Sequence, residues 1–218
     1  MPKLHGLVKT MTKKITKILS YFEQLFPLAG CELNYRKDYE LVIAVMLSAQ
    51  CSDNKVNVAT AVLFDLYPSL ESLKNASLND VEKLIRPLGM SQRKALYTIE
   101  IAEKILADFN GKVPSDRELL MSLPGVGNKT ANVVRAELFH IPELPVDTHV
   151  ERISKRLNIV SRNDNVFQVE QKLKKIIPVD KQIKTHHQMI HFGRYFCKAR
   201  KPNCGNCAIK DLCNYENK

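Results

Sequence analysis

The chain has 218 residues, 44% hydrophobic and 26% charged, enough for a sizeable core and unlike collagen-like, low-complexity or disordered chains. No apolar run is long enough to span a bilayer, and the lysine-interrupted N-terminus lacks the apolar stretch of a secretory signal. The net charge of +10 is uneven: residues 1–20 hold five lysines and no acid, residues 181–218 hold eight basic residues against Asp211 and Glu216, and the middle is nearly neutral. If the two ends meet in the fold they make one basic face, which suits a polyanion such as nucleic acid.

In chain order, the first strong element is Leu41-Val42-Ile43-Ala44-Val45-Met46-Leu47. It is apolar all round and has no alternating partner strand, so it reads as a helix buried on every side. Ser91 precedes Gln92 to Phe109, where Leu96, Ile99, Ala102 and Ile105 recur at helical spacing, and Asn110-Gly111 stops the helix. Ser115 and Glu118 spell a capping box ahead of Leu119, Leu120 and Met121. Thr148 and Glu151 repeat the device ahead of Val150, Ile153 and Leu157, and Val166 to Ile177 reads as a further helix ended by Pro178. The chain therefore reads as all-α, with no internal repeat. Ile141-Pro142-Glu143-Leu144-Pro145 cannot be helical at both prolines and is the best candidate for a domain boundary.

Between two of these helices lies Leu123-Pro124-Gly125-Val126-Gly127-Asn128-Lys129-Thr130-Ala131. The two glycines permit a tight turn and close approach of another backbone. The helix beginning near Asn128 has unpaired N–H groups and a positive dipole end, a seat for a phosphate. This is the helix-hairpin-helix pattern, which grips a DNA backbone without reading bases; the plain alternative is a helical hairpin with glycines for packing. Lys129 stands in the first turn, where a cation opposes the dipole. It is either an amine nucleophile or a phosphate-binding lysine, and spacing does not separate the two. Asp147, in Val146-Asp147-Thr148-His149, is a candidate for proton transfer. The competing role is an N-cap, and the Thr148–Glu151 box is expected to leave Asp147 free of it. His149 is read as a structural or phosphate-contacting residue, and His186, His187 and His191 as packing or backbone contacts rather than ligands.

Cys197-x6-Cys204-x2-Cys207-x5-Cys213 places four thiols within 17 residues. Without a secretory signal disulfides are disfavoured, and four clustered cysteines suit an iron–sulfur cubane or a structural zinc. Only one tight pair is present, unlike the two close pairs of most zinc sites, and the spacing is neither of the usual ferredoxin patterns either. The intervening Lys198-Ala199-Arg200-Lys201-Pro202-Asn203 is strongly basic, so a metal centre that fixes this loop would present it to phosphates. Cys31 and Cys51 read as ordinary buried thiols.

Leu123 to Ala131, Val146 to Val150 and the four-cysteine spacing together resemble the endonuclease III family of helix-hairpin-helix DNA glycosylases and AP lyases. Leu47-Ser48-Ala49-Gln50 and His186-His187, followed by Gly193-Arg194-Tyr195, are similar too, and the resemblance covers roughly residues 20 to 216. It implies an all-α fold of two domains. One is a six-helix barrel over 30–141 that ends in the hairpin and its second helix. The other joins 1–29 to 142–218 and carries a [4Fe–4S] cluster held by Cys197, Cys204, Cys207 and Cys213. The implied cleft lies between the domains, with Lys129 on one wall and Asp147 on the other.

The implied substrate is double-stranded DNA containing an oxidised pyrimidine or an abasic site, bound by a monomer in the cytoplasm, associated with the nucleoid. Lys129 attacks the sugar C1′, and Asp147 assists proton transfer. Gly125, Val126, Gly127, Thr130, His149, Lys198, Arg200 and Lys201 contact DNA. Gln50 and Met90 are expected to fill the gap left by the flipped nucleotide; Met90 stands where the family often carries leucine. Gln188 stands near the paired histidines where the family typically has tryptophan, which implies a packing difference. The nearest rival, an adenine-mismatch glycosylase, lacks the hairpin lysine and adds a C-terminal domain; Lys129 and the chain's end at Lys218 speak against it. A non-catalytic DNA-binding module would leave Lys129 and Asp147 unexplained.

Overall fold

The computed structural model describes the backbone of residues 2–215 and the side chains of 11–215. Lys3, Lys9, Glu216 and Lys218 of the terminal charge runs lie outside those side chains. Every regular element among the described residues is helical, and none is a strand. Two compact units are present: Met1–Cys31 together with Pro142–Lys218, and Glu32–Ile141.

The unit 32–141 contains α2 (Asp38–Leu47), α3 (Asp53–Leu66), α4 (Leu70–Lys74), α5 (Leu78–Ile85), α6 (Ser91–Phe109), α7 (Arg117–Met121) and α8 (Asn128–Phe139). Its centre is α2, in which every residue from Tyr39 to Leu47 is buried, as its all-round apolar sequence requires. Helices α3, α6 and α8 pack on α2, and α4 and α5 pack on α6. The buried face of α6 differs from the expected stripe. It runs through Lys94, Ala95, Thr98, Ile101, Ala102 and Ile105, while Leu96 is 42% exposed. Small residues at 95, 98 and 102 let α4 and α5 approach closely, and the bulkier Leu96 falls outside that contact. Helix α6 stops at Asn110 and Gly111, both in left-handed conformation. Helix α7 is capped by Asp116 rather than Ser115. The Asp116 carboxylate accepts from the Leu119 N–H at 3.0 Å, while the Ser115 carbonyl accepts from Arg135 Nη1 at 2.7 Å. Cys31 and Cys51, expected to be buried, are each only half-buried.

The other unit is built from α1 (Pro2–Leu25), α9 (Thr148–Arg156), α10 (Val166–Ile176) and α11 (Gln182–His191), which runs on into a wide π-type turn over Phe192–Phe196. Its core joins Ile18 and Phe22 of α1 to Leu144, Val150, Ile153, Leu173, Met189 and Phe192. The Phe22 and Phe192 rings lie 5.0 Å apart, and Phe192 stacks on Phe196 at 5.1 Å. Helix α10 starts with a reciprocal Asn165–Gln168 capping box. Gln188 is buried and donates to Glu23 Oε2 at 2.8 Å and to the Phe26 carbonyl, so it ties α11 to α1 through polar bonds. Both basic ends thus belong to one unit, although part of their charge is used inside it. Lys14 donates to the Asn158 carbonyl at 3.0 Å, and Lys17 pairs with Asp211 at 2.9 Å.

Candidate functional site

The hairpin between α7 and α8 is held from below. Val126 is buried, and its N–H bonds the Leu123 carbonyl at 3.1 Å, so this residue anchors the turn. Val126, expected from the sequence to contact DNA, thus has its side chain and its N–H engaged in the turn. Gly125 has φ +72°, and a Cβ there would lie 2.5 Å from Tyr97 Cδ2 and 3.0 Å from Met46 Cγ. Gly127 differs in kind. It is the N-cap of α8 in extended conformation, and no atom lies within 4 Å of where its Cβ would be. No side chain caps α8, so the N–H groups of its first turn point at open space. Lys129 is exposed in that turn and makes no side-chain hydrogen bond or ion pair with a described residue, while Thr130 beside it is half-buried.

Two further corners of the same unit carry the other expected DNA-facing residues. Gln50 follows α2 with φ 58°, and Met90 precedes α6 with φ 49°, both in left-handed conformation and both exposed. Sequence reasoning passed over the residue beneath them, Lys94, a buried lysine in the first turn of α6.

In the other unit Asp147 is the N-cap of α9. Its Oδ1 accepts from the N–H groups of His149 and Val150, both at 2.8 Å. The expected Thr148–Glu151 capping box is therefore corrected: Thr148 is the first helical residue, and Glu151 pairs with Lys155 at 2.6 Å. A carboxylate has two oxygens, so capping uses Oδ1 and leaves Oδ2 without a hydrogen bond to any described residue. His149 is half-buried against Gly193, where a Cβ would come within 2.9 Å of the imidazole. Burial depresses its pKa; the neighbouring Arg152 and Arg194 add to that, and Asp147 opposes it. Arg152 Nη2 donates to the Gly193 carbonyl at 2.9 Å and to the Cys197 carbonyl at 3.3 Å, linking α9 to the start of the cysteine loop.

Cys197, Cys204, Cys207 and Cys213 line one pocket, together with Leu157, Phe192 and Phe196. Among the described residues no group of three or more His, Cys, Asp or Glu is arranged to hold a single metal ion. The four cysteines border one shared space. Donors face the sulfurs: Arg156 Nη1 reaches Cys197 Sγ at 3.3 Å and the Tyr215 N–H reaches Cys213 Sγ at 3.4 Å. Burial raises the pKa of Cys197 and Cys207, offset at Cys197 by Arg156 and at Cys207 by the Ile209 N–H. An apolar wall, four cysteines and hydrogen-bond donors to sulfur are the donor set an iron–sulfur cluster uses.

The same arginine fixes the basic loop. Arg156 donates to the carbonyls of Lys198 at 2.8 Å and Ala199 at 3.0 Å, and its guanidinium lies 4.1 Å from the centre of the Tyr215 ring. Lys198, Arg200 and Lys201 are consequently exposed on a pinned backbone. Arg156 was missed in the sequence, where it looked like an ordinary cation in a helix's last turn. The paired His186 and His187 are buried and do not line the cysteine cavity.

Comparison with known proteins places these features. Residues 43–179 match the HhH-GPD superfamily base excision DNA repair proteins, and residues 197–213 match the iron–sulfur binding domain of endonuclease III. The chain carries a [4Fe–4S] cluster accordingly. It is 43% identical to endonuclease III of Bacillus subtilis strain 168, over 92% of each chain. It is 42% identical to endonuclease III of Escherichia coli K12, over 94% of this chain and 97% of that one. A solved structure of a trapped endonuclease III–DNA covalent intermediate superposes with a TM-score of 0.89, at 45% identity over 93% of this chain and 95% of the other. With an all-helical fold, an open hairpin and a four-cysteine loop already in place, the chain belongs to the endonuclease III family of base-excision repair DNA glycosylases and AP lyases.

Proposed function

We propose that Lys129 is the nucleophile of both reactions and that Asp147 is its carboxylate partner. The observation that carries this reading is the state of Lys129: exposed, unpaired with any described residue, and placed beside the open N-terminus of α8. The neutral amine attacks C1′ of the damaged nucleoside, the N-glycosidic bond breaks, and the base leaves with its electron pair and takes up a proton. The amine then loses a proton and the sugar ring opens to a Schiff base. Loss of a C2′ proton expels the 3′ phosphate by β-elimination, and hydrolysis frees Lys129. Asp147 Oδ2, outside the cap, is the atom available to accept and return protons and to face the developing positive charge on the sugar. Its Oδ1 bonds to α9 hold the carboxylate in one orientation throughout.

The substrates in this reading are duplexes carrying an oxidised pyrimidine or an abasic site, and the working form is a monomer in the cytoplasm, at the nucleoid. Gly127 with the first-turn N–H groups and Thr130 grip one phosphate, and the open turn at Gly125 lets the backbone come close. His149 supports the strand near Gly193, and Lys198, Arg200 and Lys201 hold phosphates further along. Gln50 and Met90 fill the space of the flipped nucleotide. Cys197, Cys204, Cys207 and Cys213 hold the [4Fe–4S] cluster; when bound, it supplies a rigid, redox-capable core to the loop. Borohydride trapping on abasic duplex DNA tests the nucleophile. Peptide mapping should place the covalent sugar adduct on Lys129, and an adduct elsewhere refutes the assignment.

A further inference from the structure

Lys94 is 3% exposed and has no carboxylate against it. Its ammonium donates to three backbone carbonyls: Leu47 at 2.8 Å, Ala49 at 2.9 Å and Leu88 at 3.1 Å. An ammonium has three protons, so all are used within the protein and none faces a ligand. The three acceptors belong to two corners. Leu47 ends α2 and Ala49, just past it, leads directly to Gln50; Leu88 leads through Gly89 to Met90. The end of α2 is also the negative end of its dipole, which accounts for a buried cation there without an acid. The main chain of Lys94 adds a fourth tie, its N–H bonding the Met90 carbonyl at 3.0 Å.

Each corner ends in a non-glycine residue with φ between 49° and 58°, a conformation that L side chains adopt only when their surroundings impose it. Met90 is moreover half-exposed, a large apolar side chain turned to solvent. Two separate loops thus present strained, outward side chains, and one buried lysine is bonded to both. We infer that Lys94 is a positioning residue that holds Gln50 and Met90 at one fixed spacing, so that the two side chains enter the duplex together. This rests on the reading of Gln50 and Met90 as gap-filling residues. A rigid pair enters a base stack without losing loop entropy on binding, whereas two independent loops would have to be ordered one after the other.

The test replaces Lys94 by Met, which keeps the stem and removes every donor, and by Arg, which restores donors. Each variant is assayed on a duplex with 2-aminopurine opposite an abasic site and on a single-stranded abasic oligonucleotide, which has no stack to enter. In Lys94→Met the 2-aminopurine unstacking signal should disappear and duplex cleavage should fall by up to about a hundredfold, as for a reacting group misplaced by about 1 Å. Single-strand cleavage should fall far less, and Lys94→Arg should recover part of the duplex signal. An unchanged ratio of duplex to single-strand activity in Lys94→Met overturns the inference, whether both activities persist or both are lost. If Lys94→Met does not fold, Lys94→Gln carries the same comparison. Gln50→Ala and Met90→Ala separate the two layers of the argument. If neither changes the 2-aminopurine signal, the gap-filling reading fails; if they abolish it while Lys94→Met does not, only the role of Lys94 fails.

Discussion

The two hairpin glycines should respond differently to the same added methyl group. Gly125→Ala puts a Cβ 2.5 Å from Tyr97 Cδ2 and 3.0 Å from Met46 Cγ, at φ +72°. The left-handed conformation costs about 1–2 kcal/mol for alanine and the overpacking about 1–3 kcal/mol, so about 2–5 kcal/mol together. At roughly 2–4 °C per kcal/mol for a chain of this size, the melting temperature should fall by about 4–20 °C. Gly127→Ala meets no atom within 4 Å, and its φ of −95° is open to any residue. Its stability should change by less than about 1 kcal/mol, because the freedom lost by the unfolded chain, about 0.4–1 kcal/mol, is offset by alanine being a poorer N-cap than glycine by about 0.5–1 kcal/mol. The same methyl stands at the mouth of the α8 N-terminus, where a phosphate has to approach the N–H groups. Losing one charge-assisted hydrogen bond there, about 1.5–3 kcal/mol, weakens binding about tenfold to a hundredfold. Thermal melting with fluorescence anisotropy on an undamaged duplex at fixed salt reads both quantities. Gly127→Ala with wild-type DNA affinity would show that the start of α8 is not a phosphate seat. Gly125→Ala with an unchanged melting temperature would show that the turn relaxes around Tyr97.

Lys129→Gln should abolish base release, strand cleavage and borohydride trapping while duplex affinity stays close to wild type; residual lyase activity at normal rate refutes the single-amine reading. Asp147→Asn keeps the cap, since asparagine caps as well as aspartate, so melting should hold while turnover falls by about 10²–10⁴. Trapping at abasic sites should survive in that variant in part, and wild-type base-release kinetics would leave Asp147 with its cap alone. Cys207→Ser should purify with less iron and sulfide and lose the yellow-brown colour, checked by metal analysis; a colourless native protein with one zinc overturns the cluster. Changing Lys198, Arg200 and Lys201 together to Gln should make the slope of log K against log salt shallower by up to about 3, at about 0.9 per phosphate contact. Lesion preference should persist in that variant, because phosphate contacts carry no lesion information.

Strong periodicity and single-residue punctuation are legible in the sequence. The all-round apolar run became α2, Asn110-Gly111 ended α6, and the four-cysteine loop gathered around one cavity. Capping was less legible. Ser, Thr, Asp and Asn all cap well, so where two stand side by side the pattern leaves the start uncertain by one residue. In both misread cases, Asp116 and Asp147, the aspartate beside the chosen hydroxyl residue took the cap. The stripe on α6 shifted because α4 and α5 dictate which side is buried, and they are distant in sequence. Arg152, Arg156 and Lys94 left no local signal, since each acts on carbonyls 40 or more residues away or in a neighbouring loop.

Lys94 and Lys129 each sit in the first turn of a helix, against the dipole, and each breaks the same local rule. What separates them is where the compensation lies. Lys94 spends all three protons on carbonyls inside its own unit, so its misplacement in sequence terms is repaired by the fold. Lys129 makes no such bond with any described residue, so nothing within the protein explains a cation at that position. The two glycines divide the same way: Gly125 is required by Tyr97 and Met46, and Gly127 by nothing inside the chain. Residues that defy local preference and are left unrepaired by packing are those whose partner comes from outside. For Gly127 and Lys129, two residues apart on the open end of one helix, the proposed function calls for a partner that is anionic for the N–H groups and electrophilic for the amine. A phosphate next to a sugar carbon that can form an imine satisfies both demands in one molecule, in keeping with the proposed nucleophilic role of Lys129.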